Sequence, residues 1–182
     1  MESKENKMLD LFFDYPSKHW HFEDILKSAK IARSKANRWL DQFCREGIIK
    51  RIKERYKMPY YISNYESPMY QNKKRIFGLQ KLYESGLLNH LSSLGRAKAI
   101  ILFGSFSSWD WYKDSDIDIF IYGDPEGLKI AQYEMKLHHD IQLFICKDNK
   151  DINKLGAGLI KNIIKGDIIK GDINFVEVKA HA

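Results

Sequence analysis

The sequence is poor in several features that would settle a protein's class at once. It has two cysteines in 182 residues. Cys44 and Cys146 are isolated, with no Cys-x-x-Cys spacing, so they are expected as reduced, mostly buried thiols. No apolar run approaches the roughly 20 residues that a membrane-spanning helix needs, which excludes such a helix. The N-terminal stretch MESKENKMLDLFF is charged and lacks the apolar segment and cleavage site of a secretory leader. A cytoplasmic protein with no membrane partner is expected. What remains is a chain with 44% hydrophobic residues, enough to build a true core.

Charge is the first informative presence. The net charge of +6 is unevenly spread. Residues 1–75 hold 17 Lys/Arg against 10 Asp/Glu, and residues 76–182 hold 13 against 14. Within 27–75 the imbalance is 14 against 4. A basic first half beside a near-neutral second half predicts two modules, the first facing a polyanion.

In the basic half, Phe22 to Ala29 and Arg33 to Glu46 read as two helices, with Gly47 as the stop of the second. Ala36, Trp39, Leu40 and Phe43 recur at helical spacing and form one apolar face. Arg33, Lys35, Asn37, Arg38, Gln42 and Arg45 lie largely off it. This is helix-turn-helix spacing, with the second helix as the candidate reader. IIKRIKERYKMPYYIS follows and reads as a two-stranded basic hairpin. Together these elements resemble the winged-helix DNA-binding fold. The resemblance implies that Ser34, Lys35, Asn37 and Arg38 face the major groove. It places Lys53, Arg55 and Lys57 on the wing, against phosphates. The usual Ser, Thr or Asp cap is absent at Ala32. A basic domain that docks a protein or dimerises is the competing reading. Residues 63–75 are expected as a linker, followed by helical stretches at 71–84 and 85–95.

The second half opens with an apolar strand, Lys98 to Phe103, ending at Gly104-Ser105. A second strand follows at 116–122 and a third at 140–146, with helices expected from Asp124 to Leu137 and from Asp148 to Lys165. On the second strand Asp116 and Asp118 share one face by the two-residue period, and Ile117, Ile119 and Ile121 take the other. Paired carboxylates repel unless a cation sits between them. A hard divalent ion such as Mg2+, held by oxygen ligands and substrate phosphates, meets that need. Gly104-Ser105 adds a turn at which backbone can approach a phosphate.

Gly104-Ser105, ten intervening residues and Asp116-Ile117-Asp118 form a recognisable signature. It resembles the DNA polymerase β-like nucleotidyltransferase superfamily, most of all its small minimal nucleotidyltransferases. The resemblance covers roughly residues 76–176. It implies nucleotidyl transfer from a nucleoside triphosphate, with AMP from ATP the expected case, two Mg2+ ions and a third carboxylate on the next strand. It gives Ser105 a β- or γ-phosphate and has Asp116 and Asp118 bridge the metals. Asp140, at the start of the third strand, is placed as the third carboxylate, holding the second metal and taking the proton of the attacking hydroxyl. A register one residue off would leave Gln142 on the active face instead. Ser108 and Trp109 stand where many relatives carry Arg and Gly. Trp109, Trp111 and Tyr112 either pack the fold, the favoured reading, or stack on a base. Lys113 is read as a solvated loop charge.

The expected architecture is α+β: a winged helix-turn-helix domain at 1–66, connecting helices at 67–95 and a nucleotidyltransferase domain with a mixed sheet at 96–182. Two functions follow from the resemblances. One is a nucleotidyltransferase whose acceptor is a hydroxyl of a small molecule or a protein, such as a HEPN-type toxin in a toxin–antitoxin pair. The other is a DNA-binding regulator whose nucleotidyltransferase domain senses nucleotide or turns over weakly. The short stretch after residue 176 argues against the helical domain of antibiotic-modifying relatives. A homodimer, or another protein, would then complete the acceptor site.

Overall fold

The computed structural model describes residues 3–174. The last residues of the expected catalytic domain, 175–182, lie outside the described residues. The chain divides into two compact units. The first is Met1–Ile76 together with Asp110–Asp114, and the second is Phe77–Trp109 with Ser115–Ala182.

The first unit begins with α1 (Lys4–Asp14), whose N-terminus is capped by the Ser3 hydroxyl, which accepts from Asn6 N–H at 3.0 Å. Met8, Leu9, Phe12 and Phe13 fall one turn apart and are all buried. β1 (Trp20–His21), α2 (Phe22–Ala29) and α3 (Arg33–Arg45) follow, then β2 (Ile49–Ile52) and β3 (Tyr60–Ser63). The three strands form one antiparallel sheet in the order β1-β3-β2. This succession, with a helix-turn-helix leading into a hairpin, is the topology of a winged helix. α2 and α3 fall where the helical pattern puts them, and Gly47 ends the second with φ +71°. Ala32 caps α3 without a side-chain hydrogen bond, as its methyl dictates.

The expected linker at 63–75 is overturned. Ser63 belongs to β3, and its buried hydroxyl donates to Phe12 O at 2.6 Å. From Pro68 the chain is already helical, in α4 (Pro68–Ser85). Tyr70 is fully buried there, donates its hydroxyl to Phe12 O at 3.1 Å and meets Phe13 edge-on at 5.4 Å. These two donors satisfy a carbonyl that the end of α1 leaves without a helical partner.

The second unit adds α5 (Leu87–Ser93), β4 (Ala97–Phe103), α6 (Ser105–Ser108), β5 (Ile117–Gly123), α7 (Ala131–Leu137), β6 (Ile141–Cys146), α8 (Asn149–Ile152), α9 (Ala157–Ile164) and β7 (Asp167–Lys170). Its mixed sheet runs β6-β5-β4-β7, with β5 and β6 parallel and β4 antiparallel to both β5 and β7. Two expected helices are shorter than their patterns suggested. Asp124 to Ile130 is not helical: the Asp124 carboxylate accepts from Glu126 N–H at 3.1 Å, and Gly127 has φ +88°. The stretch from Asp148 to Lys165 breaks before Gly156, which serves as the cap of α9.

One face of this sheet carries a core of Ile101, Phe103, Phe120 and Cys146, closed by Ile152 of α8 and Ile163 of α9. By strand alternation this is also the face of Asp116, Asp118 and Gln142. The carboxylates therefore sit at the end of a face whose other part is packed. Ile117, Ile119 and Ile121 are fully buried on the opposite face. Both faces of β5 are thus largely apolar, and the carboxylates of Asp116 and Asp118 are what tells one face from the other.

Candidate functional site

β4 delivers the chain to Gly104, whose φ of +72° and ψ of −151° suit glycine and strain any other residue. The turn lies against β5, where Phe103 pairs with Asp118. A Cβ built on Gly104 would overlap the Asp118 carboxylate. The glycine is thus required twice, by its backbone angles and by the oxygen beside it. α6 then lasts a single turn. The Ser108 hydroxyl donates to Gly104 O and Ser105 O, both at 3.1 Å, so the residue standing in the usual arginine position serves this turn.

Asp116 is exposed just before β5, and Asp118 is half-buried within it. Burial pushes the Asp118 carboxyl up from its ordinary value, and the charge of Asp116 pushes it further. The two are therefore close enough to repel, and a divalent cation between them would relieve both effects. That much of the donor set fits a metal. Among the described residues no three His, Cys, Asp or Glu side chains are drawn together as a ready-made metal-binding group. β6 sets the level of its own polar side chains against Asp116 and Asp118. In the parallel ladder Ile117 pairs with Ile141 and Asp118 with Gln142. Ile117 N–H donates to Asp140 O at 2.8 Å, so Asp140 lies level with the start of β5 and is exposed. Asp140 and Gln142 share the face of Asp116 and Asp118: Gln142 stands directly across from Asp118, and one step earlier along the parallel ladder Asp140 stands across from Asp116.

One supporting residue lies outside the Gly-Ser and Asp-x-Asp signature. His139 is buried, its ring N–H at Nδ1 donates to Ser115 O at 2.8 Å, and its ring meets Phe106 edge-on at 4.9 Å. It ties the turn after Gly104 to the residue before Asp116, so it is a positioning residue for both halves of the signature. His138, its neighbour, has φ +57° and is exposed.

This strand–turn geometry agrees with an independent comparison. Residues 87–172 match the family model described as Polymerase beta, Nucleotidyltransferase. Over these residues the second unit is similar to the nucleotidyltransferase domain of the polymerase β type. No curated protein matches the chain. Solved structures that resemble part of it include two regulators. The ferric uptake regulator of Francisella tularensis with iron is 25% identical, over 37% of this chain and 55% of that one, with a TM-score of 0.34. The apo, heme-free form of PefR is 16% identical, over 46% of this chain and 73% of that one, with a TM-score of 0.36. The chain spans about half the length of the ferric uptake regulator it matches.

The loop of the nucleotidyltransferase signature has a second structural role. Asp110–Asp114 belongs to the first unit. Trp111 is fully buried there and meets the Phe13 ring edge-on at 6.2 Å. Trp111 therefore packs and does not stack on a base. Lys113 Nζ lies 5.4 Å from the Tyr15 ring centre, and its backbone N–H donates to Asp14 O. Tyr112 is exposed. Under Trp111 lies Lys74, itself fully buried, its ammonium 4.8 Å from the indole centre and without a hydrogen-bond partner among the described residues.

In the winged helix, Ser34, Lys35, Asn37 and Arg38 are all exposed along α3. Asp41, one turn beyond, is exposed as well and interrupts the positive stripe. Arg33 is held by Glu23 in a two-pronged pair at 2.7 and 3.0 Å. Lys53, Arg55 and Lys57 are exposed on the loop joining β2 and β3. Lys57 differs from the other two: its ammonium pairs with Glu54 at 2.5 Å, and that contact raises its affinity for a proton. No helix among the described residues is long and apolar enough to cross a membrane.

Proposed function

We propose that the protein transfers a nucleoside monophosphate, AMP from ATP in the expected case, to a hydroxyl of a protein or small-molecule acceptor. The observation that carries this reading is the apposition of Gly104 and Asp118. A turn with no side chain lies against a half-buried carboxylate, which leaves backbone and carboxylate to face one ligand together. Asp116 and Asp118 would hold Mg2+, which when bound neutralises charge on the phosphates and on the departing pyrophosphate. Gly104 lets the main chain approach a phosphate, and the Ser105 hydroxyl donates to a β- or γ-phosphate oxygen. The acceptor hydroxyl attacks the α-phosphorus in line as pyrophosphate leaves. Asp140, exposed on the same face, is the carboxylate available to take the hydroxyl proton. The winged helix brings the domain to DNA through Lys35, Asn37, Arg38 and the wing. A second subunit or a partner of the HEPN toxin type supplies the acceptor.

Incubation of the purified chain with each α-labelled nucleoside triphosphate, Mg2+ and a lysate of the source cells tests this. Label on a discrete band or small molecule, absent with an Asp116→Ala/Asp118→Ala double variant, is the expected result. No transfer from any of the four nucleotides would sink it. The second reading, a DNA-binding regulator that senses nucleotide, draws support from Gln142 standing across from Asp118. It predicts nucleotide binding without transfer.

A further inference from the structure

The tip of the wing is built against local preference. Glu54 O accepts from Lys57 N–H at 3.3 Å, so residues 54–57 form a turn with Arg55 and Tyr56 at its centre. Tyr56 has φ +63°, in the left-handed region. A turn of this kind favours glycine or asparagine there, and an aromatic residue is costly. Packing returns little of that cost: Tyr56 is 92% exposed, and Met58, two residues on, is 76% exposed. A strained backbone that holds a large ring out in water points to a ligand for the ring. The loop is nonetheless firmly held. The Glu54 carboxylate accepts from Lys57 Nζ at 2.5 Å and from the Tyr60 hydroxyl at 3.1 Å. The His19 ring stacks on Tyr60 at 4.3 Å, and His21 Nδ1–H donates to Pro59 O at 3.2 Å. The tip therefore presents Tyr56 and Met58 from a braced base.

Charge selects the ligand. Lys50, Arg51, Lys53 and Arg55 are exposed along the same hairpin, and its one carboxylate, Glu54, is engaged with Lys57 and Tyr60. The arms thus attract a polyanion, while the tip carries a ring and a thioether. Duplex DNA answers both, with phosphates for the arms and an apolar slot between base pairs for the tip. The Arg55 guanidinium lies 5.0 Å from the Tyr56 ring centre, which couples the ring to a charge that seeks phosphate. Resting on the DNA-binding reading above, we propose that the wing is a wedge: Tyr56, with Met58 behind it, enters the minor groove, parts one base step and bends the duplex. The site it favours is one that deforms cheaply, a pyrimidine–purine step, whose bases the wing need not hydrogen-bond. Helix α3 then reads base edges, and the wing reads deformability.

Unstacking and binding are measured side by side on the full chain. The probes are two duplexes about two helical turns long, one with central TpA steps and one with a central A-tract. Each carries 2-aminopurine at its centre, whose fluorescence rises on unstacking, and an end label for anisotropy. With the TpA duplex, saturating wild type and Tyr56→Phe are expected to raise the 2-aminopurine signal, and Tyr56→Asn to leave it flat. Tyr56→Asn should bind the TpA duplex about tenfold more weakly, the loss of one stacked ring, and the A-tract duplex as the wild type does. Asparagine suits the positive φ, so this variant is expected to melt no lower than the wild type. A signal rise that survives in Tyr56→Asn, or binding by the wild type with no rise, would overturn the proposal. So would a Tyr56→Asn protein that melts well below the wild type, since the ring would then serve the fold. Tyr56-dependent sedimentation with phosphatidylcholine–phosphatidylserine vesicles would assign the tip to a lipid surface and overturn it too. No anisotropy change with either duplex at low salt would sink the DNA-binding reading and the wedge with it. That outcome is distinct from binding without unstacking.

Discussion

Gly104 and Asp118 compete for one small volume: a side chain on the first would occupy the place of the carboxylate of the second. The positive φ of Gly104 compounds this. Gly104→Ala must either push Asp118 away or unwind the turn. We expect a loss of stability of about 1–3 kcal/mol from the backbone angle alone. Labelled-nucleotide transfer should fall by two orders of magnitude or more, because nucleotide and carboxylate no longer share the turn. A Gly104→Ala enzyme with unchanged transfer would show that the apposition is incidental.

Asp118 is held at the expense of stability. Burial and the nearby Asp116 both oppose its negative charge. Asp118→Asn keeps the shape and removes the repulsion. In a metal-free buffer near neutral pH the variant should melt a few degrees above the wild type, while its transfer activity is lost. Differential scanning calorimetry with a chelator, run beside the transfer assay, checks both halves. A variant less stable than the wild type would mean that the carboxylate is there for structure.

The wing makes its own distinction between lysines. Lys57 spends its charge on Glu54, whereas Lys53 and Arg55 on the same loop have no ion pair among the described residues. If the wing lies on phosphates, Arg55→Ala and Lys35→Ala should each weaken DNA binding about five- to tenfold. Each should also reduce the salt dependence by roughly one counterion. Lys57→Ala should have a smaller effect, and Glu54→Ala, which releases Lys57, should tighten binding. Gel retardation across a salt series reads all four. Equal losses at Lys57 and Arg55 would contradict the pairing, and no retardation at all would favour docking to a protein.

Some of this was legible in the sequence for physical reasons, and some could not be. α2 and α3 were readable because their apolar residues repeat at the helical period, and β5 because alternating isoleucines bracket the carboxylates. α1 has as clear a stripe, Met8, Leu9, Phe12 and Phe13, preceded by a capping serine, and the signal was there to be read. The helix expected from Asp124 fails because an Asp-Pro start fits a turn as well as a helix cap, and Gly127 resolves the choice. The level of Asp140 and Gln142 against Asp118 depends on strand register, which alternation along one strand cannot set. The destination of Trp111 is further from reach. Its neighbours in sequence belong to the nucleotidyltransferase signature, while its packing partner Phe13 lies almost a hundred positions earlier.

Lys74, buried beneath that tryptophan, gives the last prediction. Burial depresses its pKa to about 8, and the carboxylates of Asp14 and Asp110 only partly restore it. In the unfolded chain the same ammonium titrates near 10.5. Below pH 8 both states carry the charge, and the folded state bears the full cost of burying it. As pH rises above 8 the folded protein releases this proton while the unfolded chain retains it. The unfolded state then binds more protons, so this group makes stability rise with pH between about 8 and 10.5. Cys44 and Tyr70, whose values are raised by burial, act in the opposite sense at the alkaline end. Comparison with Lys74→Met cancels them, since both proteins share them. Between pH 8 and 9.5 the wild type should gain about 1.5 kcal/mol of unfolding free energy relative to the variant. Urea denaturation at a series of pH values measures the difference. A constant gap would show that the ammonium reaches water, and with it that the Trp111 loop does not seal the first unit.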